Sequence, residues 1–235
     1  MYRALIPVAA ALALSACGSE APAPAPTAET PPAIEAELPV MGPQRSILAF
    51  GDSLFAGYGL EQGQSYPSVL QNALRARGIN AVVTNAGVSG DTTAAGRQRI
   101  GFVLENMDAP PDLAIVELGG NDLLRSIDPA ETRASLEAIL SELQSRAIPV
   151  LLMGMRAPPN LGVGYQQAFD GLYPQLAEEF DADLVPFFLE ATYDRPELIQ
   201  ADRVHPTAQG IEELVASTLD EVVAALPEAA EQPAR

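Results

Sequence analysis

Lysine is absent from the 235 residues, and all thirteen basic side chains are arginine. No amine nucleophile or Schiff base is therefore available. Cysteine occurs once, at Cys17, so no internal disulfide can form and no thiol remains for chemistry in the body of the chain. Histidine also occurs once, at His205. One His and one Cys cannot build a metal site from the usual ligands, and the acids show no calcium-loop spacing. Positive charge is scarce as well, 13 basic against 31 acidic residues for a net −18, which argues against nucleic acid as a partner. Gly57-Tyr58-Gly59 lacks the third glycine of a dinucleotide loop. There is no G-x-S-x-G elbow of the α/β-hydrolase type. No cofactor is expected.

The chain starts with Met1-Tyr2-Arg3 and an almost wholly apolar run from Ala4 to Ala16, interrupted by Pro7. A spanning helix needs about 20 apolar residues, so residues 1–16 read as an export signal. Leu14-Ser15-Ala16-Cys17 resembles the bacterial lipobox, which implies a lipid on Cys17 and a membrane anchor on the periplasmic side of the envelope. Gly18, in place of Asp, points to the outer membrane. An ordinary signal cut nearby would instead leave a soluble periplasmic protein. Residues 17–44 read as a tether, since seven of the 21 prolines fall between 18 and 44 among alanines and acids. Such a stretch cannot bury apolar surface. Residues 45–227 form the single expected domain, followed by a tail at 228–235.

Within the domain, short aliphatic runs alternate with amphipathic segments. The runs Ser46–Phe50, Ala81–Asn85, Leu113–Leu118, Pro149–Met153 and Leu184–Phe187 read as strands, each followed by Gly, Asn or Pro. Asp128-Pro129-Ala130-Glu131 marks a helix start, and Leu136, Ile139, Leu140 and Leu143 continue it at helical spacing. Phe169, Leu172, Tyr173, Leu176 and Phe180 form a second stripe, and Ile211 to Val222 a third. The fold class is α/β, a parallel sheet covered by helices on both faces.

The motifs follow the strands. Gly51-Asp52-Ser53-Leu54 leaves the first strand and would bring Ser53 to a helix start. A serine hydroxyl is a poor nucleophile without a neighbouring base, and a strand-end turn with a capping serine has the same sequence. Asn85-Ala86-Gly87-Val88-Ser89-Gly90-Asp91-Thr92 follows the second strand and Gly119-Gly120-Asn121-Asp122 the third. Acyl transfer builds charge on a carbonyl oxygen that preorganised N–H donors must meet, although either glycine-rich segment alone would be a turn in most proteins. Asp202-Arg203-Val204-His205-Pro206 places an acid three residues before the histidine, within reach of its ring. Pro206 suits the first position of a following helix.

Together these segments resemble the four blocks of the SGNH hydrolases within the GDSL family, most closely the bacterial branch of thioesterase I, protease I, lysophospholipase and arylesterase type. The resemblance spans residues 46–225 and includes Val116 to Asp122 and Pro186-Phe187-Phe188. It implies a flavodoxin-like three-layer α/β/α sandwich with five parallel strands in order 2-1-3-4-5. By position it implies Ser53 as nucleophile, His205 as base and Asp202 as its orienting acid. The oxyanion hole would combine the N–H groups of Ser53 and Gly87 with the Asn121 side chain. Leu123, Leu124, Ile127, Pro158, Leu161 and Tyr165 would flank an acyl group, though apolar loop residues also simply cover a sheet end. The implied substrates are small-molecule or lipid esters and thioesters: aryl esters, lysophospholipid or acyl-CoA. Two rival readings remain, a carbohydrate O-deacetylase on this scaffold and a non-catalytic envelope lipoprotein. The absence of tryptophan and an aromatic content of 6% speak against a sugar platform.

Overall fold

A computed structural model of the chain describes residues 40–228. The expected export signal at 1–16, Cys17, most of the expected tether at 17–44 and nearly all of the expected tail at 228–235 lie outside the described residues.

Five strands form the sheet: β1 Arg45–Gly51, β2 Ala81–Gly87, β3 Leu113–Glu117, β4 Val150–Met153 and β5 Asp183–Val185. All pairings are parallel and the order is β2-β1-β3-β4-β5. In β1, Ile47 to Phe50 are buried without a break, as are Leu113 to Val116 in β3. Continuous burial, rather than alternation, is what a strand covered on both faces requires. From β1 the chain steps outward to β2, then returns across β1 to β3 and continues to β5. The reversal lies between β1 and β3, where sheets of this kind leave a crevice at their carboxyl ends.

Eight α-helices accompany the strands among the described residues: α1 Ser53–Ala56, α2 Tyr66–Ala76, α3 Thr93–Glu105, α4 Gly120–Leu124, α5 Pro129–Ser145, α6 Val163–Asp170, α7 Leu172–Phe180 and α8 Ala208–Ala225. One group packs α2 against α8; another packs α3 against α5 and α5 against α7. The short α1 rests on an aromatic cluster. Phe55 stacks on Tyr66 at 5.0 Å between centroids, and Phe188 meets both edge-on. Such pairs contribute about 0.5–1.5 kcal/mol each beyond their buried area, which fixes the turn that carries Ser53.

Element boundaries shift where proline intervenes. β4 begins at Val150, because Pro149 offers only its carbonyl, to Ala114 N–H at 2.9 Å. β5 ends at Val185, because Pro186 has no N–H for the ladder. The Phe169–Phe180 stripe divides at Gly171 into α6 and α7. Pro174 cannot donate to the carbonyl four residues back, so the helix restarts. Pro206 is not the first residue of α8. Thr207 caps that helix through a hydrogen bond from Gly210 N–H, and Pro206 pairs with Ile199 in an isolated bridge. Among the described residues no helix is long and apolar enough to cross a membrane.

Candidate active site

Ser53 opens α1 directly after β1. Asp52 caps the helix, its Oδ1 accepting from Leu54 N–H at 3.0 Å, and Gly57 ends it in a left-handed conformation. The first N–H groups of a helix have no partner within it, so the Ser53 N–H is left to the crevice. Gly51 is needed here for close approach. A Cβ at 51 would lie 2.8 Å from the Glu117 carbonyl oxygen and from the Phe55 ring.

His205 arrives from the connection after β5. Asp202 Oδ1 accepts from the N–H groups of Val204 and His205 at 2.9 and 3.1 Å, folding residues 202–205 into a tight turn. Arg203 takes a left-handed conformation within it. The Asp202 Oδ2 lies 2.6 Å from His205 Nδ1, and His205 Nε2 lies 2.8 Å from Ser53 Oγ. With Nδ1–H donating to Asp202, Nε2 is free to accept from the serine hydroxyl. The hydrogen bond from His205, followed by those from the two backbone N–H groups, holds the Asp202 carboxyl down to about 2. The Tyr58 ring lies 4.4 Å from the imidazole centroid. Gln200 fastens the turn: its N–H donates to His205 O at 2.7 Å, and its side-chain amide donates to Pro206 O and Tyr58 O at 2.8 and 2.9 Å.

Asn121 sits in the first turn of α4, after β3. Its amide donates one N–H to Asp52 Oδ2 at 2.9 Å, leaving a second N–H uncommitted. Gly87 does not offer the free donor expected of it. Its N–H donates to Asn85 Oδ1 at 2.9 Å. Its lack of a side chain serves packing, since a Cβ there would fall 2.8 Å from the Phe55 carbonyl carbon and 2.9 Å from Asp52 O. Gly90, three residues on, has φ +87°, and its N–H has no protein acceptor among the described residues. Two anchors hold the 88–92 loop. Arg99 pairs with Asp91 and donates to Ala86 O and Gly51 O, both at 2.8 Å. Asp122, beside Asn121, accepts from Thr93 N–H at 2.9 Å and from the hydroxyls of Thr93 and Thr132 at 2.6 and 3.1 Å.

A cleft of about 480 Å³ opens beside Ser53 and Asn121. Leu123, Leu124, Pro158 and Leu161 line it, together with Met155, Leu189, Tyr193 and Ile199, which sequence reasoning missed. Ile127 and Tyr165 do not line it. The Tyr165 hydroxyl donates to the Ile127 carbonyl at 2.7 Å, which pins α6 to the loop after α4. Two buried carboxyls, Asp52 and Glu117, lie under the serine turn. Among the described residues no group of three or more His, Cys, Asp or Glu side chains could hold a metal ion.

A hydroxyl, an imidazole and a carboxylate bonded in a row, at the carboxyl edge of a doubly wound sheet, define a serine hydrolase. The chain belongs to the GDSL-like Lipase/Acylhydrolase family, whose pattern matches residues 49–212. It is 39% identical over 161 residues to Thioesterase 1/protease 1/lysophospholipase L1 of Escherichia coli K12, covering 68% of this chain and 75% of that one. It is 39% identical over 176 residues to an arylesterase of Vibrio mimicus, covering 74% and 87%. Among solved structures, AlinE4, an SGNH-hydrolase family esterase, is 68% identical, with a TM-score of 0.68 over 80% of this chain and 99% of that one. Solved variants of AlinE4 replace a serine and an aspartate by alanine. The chain is accordingly an ester-hydrolysing serine hydrolase.

Proposed function

We propose that the enzyme hydrolyses carboxylic esters and thioesters of apolar acyl groups through an acyl-enzyme on Ser53. The observation that carries the reading is the contact between Ser53 Oγ and His205 Nε2 at 2.8 Å, backed by Asp202 at 2.6 Å from Nδ1. In the first half-reaction Ser53 attacks the carbonyl carbon and His205 takes its proton. His205 then gives that proton to the departing alcohol or thiol. In the second half, water attacks the acyl carbon, again deprotonated by His205, and Ser53 leaves as the free hydroxyl. Asp202 keeps the imidazole in the required tautomer. The carbonyl oxygen, negative in both tetrahedral intermediates, meets the Ser53 N–H and the free N–H of Asn121. Gly90 replaces Gly87 as the source of a third donor, because the Gly87 N–H is already taken.

The apolar cleft favours aryl esters and medium acyl chains, including lysophospholipid and acyl-CoA, over a polar sugar ester. The lipobox-like Leu14–Cys17 supports an exported enzyme tethered through Cys17 to the periplasmic side of the outer membrane, and mass spectrometry of the membrane-extracted protein tests the lipid. Labelling by a fluorophosphonate that reacts with wild-type protein and is lost in Ser53→Ala tests the chemistry. Protein that hydrolyses p-nitrophenyl esters but labels equally well without Ser53 would remove that residue from the mechanism.

A further inference from the structure

The acyl-transfer cycle gives no task to the two carboxyls under the Ser53 turn. Asp52 is 1% exposed and Glu117 is fully buried. Both oxygens of Asp52 are supplied with donors, Oδ1 by Leu54 N–H and Oδ2 by the Asn121 amide. Glu117 is poorly supplied. Its Oε2 meets only the Asp52 N–H, at 3.4 Å, and its Oε1 has no hydrogen-bond partner. The Asp52 N–H thus sets the Glu117 carboxyl directly against residue 52, where the charge of Asp52 acts on it. Carboxylates this close in a dry interior cannot both ionise, and an ion is stable only where donors surround it. The charge therefore rests on Asp52 and the proton on Glu117. Burial, and then the charge of Asp52, push the Glu117 carboxyl well above the usual range, while Asp52 is raised by burial against the pull of its donors. The space is made for this group, since a Cβ on Gly51 would fall 2.9 Å from Glu117 Oε2.

We propose that Glu117 is a positioning residue of the reaction, a carboxylic acid whose O–H holds the Asp52 carboxylate in the orientation that aims the Asn121 amide at the substrate carbonyl. An O–H···O⁻ bond is short and directional, and the amide is planar. Fixing one N–H of Asn121 on Asp52 therefore fixes the direction of the other. The proposal rests on Ser53 and Asn121 acting as described above. Glu117 touches neither substrate nor the reacting atoms.

The test compares two variants with wild type by kcat and KM on p-nitrophenyl butyrate, with the active fraction counted by fluorophosphonate titration. Glu117→Gln keeps a neutral donor toward Asp52 and should stay within about threefold of wild-type kcat. Glu117→Met keeps the volume without the donor and should lose about 10- to 100-fold in kcat with KM little changed. In an Asn121→Ala background the Met substitution should add less than about threefold, since its effect passes through that amide. Equal losses in the Gln and Met variants, no loss in the Met variant, or a full further loss without Asn121 would each overturn the proposal. Should Glu117→Met fail to fold, Glu117→Asp, whose shorter arm withdraws the O–H, takes its place in the comparison. Wild-type protein that takes no label on Ser53 would sink the mechanism itself, whereas normal labelling with indistinguishable Glu117 variants would sink this proposal alone.

Discussion

Replacing Asp202 by asparagine separates the two tasks of that side chain. One oxygen closes the 202–205 turn by accepting from Val204 and His205 N–H; the other faces His205 Nδ1 at 2.6 Å. An asparagine keeps the turn through its carbonyl oxygen and turns an NH₂ toward the ring. That group donates, so Nδ1 has to accept and the ring proton moves to Nε2. A protonated Nε2 cannot take the proton of Ser53. The arrangement of Ser–His–Asp hydrolases gives the scale: asparagine at the acid drops kcat about 10⁴-fold while the geometry survives. The expected outcome is a fall in kcat of about 10³- to 10⁴-fold on p-nitrophenyl acetate near pH 8. KM and melting temperature should stay close to wild type, because the turn and the cleft remain. A variant that keeps kcat within about tenfold would show that the imidazole finds its tautomer without Asp202, and the proposed assignment of roles would fall with it.

Asn121→Ala should lower kcat about 100- to 1,000-fold with the fold intact, measured by the same assay with circular dichroism as control. Gly87→Ala should destabilise by about 1–3 kcal/mol, because its Cβ would press on the backbone of α1; a melting temperature equal to wild type contradicts that packing. Gly90→Ala should lower activity more than melting temperature, since its positive φ is strained in an open loop. Along a series of p-nitrophenyl esters, each CH₂ that enters the cleft should raise kcat/KM up to about fourfold, the equivalent of about 0.8 kcal/mol. Leu161→Trp should end that rise at a shorter chain, and an unchanged optimum would place the acyl group elsewhere. Asp202, held at about 2, contributes to stability at pH values above its ordinary range, and that contribution is lost as pH falls toward 2. Acid unfolding followed by tyrosine fluorescence should therefore depend less steeply on pH in Asp202→Asn, which has no carboxyl there to protonate.

Much of this was legible in the chain because the residues involved are scarce. A lone histidine with an acid three positions earlier, and a serine at a glycine-bearing strand exit, leave few alternatives. The alternating runs carry the parallel sheet, and the family resemblance supplied its order. The choice between Gly87 and Gly90 was not legible. Both lie in the segment Asn85–Thr92, and which N–H stays free depends on the Asn85 side chain folding back on residue 87. The far wall of the cleft was missed for a related reason. Leu189, Tyr193 and Ile199 come from the connection after β5, far in sequence from Asn121, and nothing local marks them as its neighbours. Ile127 and Tyr165, which are apolar and close to the Asn121 block in sequence or space, bond to each other instead. Glu117 was readable only as part of a motif, since its burial depends on the packing of β1 against β3.

The acid and base are neighbours along the chain and hold each other by local bonds, so their spacing survives whatever the sheet does. The gap from base to nucleophile has no such guarantee. It is bridged at the surface by Gln200, whose amide reaches the backbone of Tyr58 just beyond α1. Warming should loosen this latch well before the interior melts. Heat would then silence the enzyme while its spectroscopic signature stayed native, and cooling would restore turnover without any refolding.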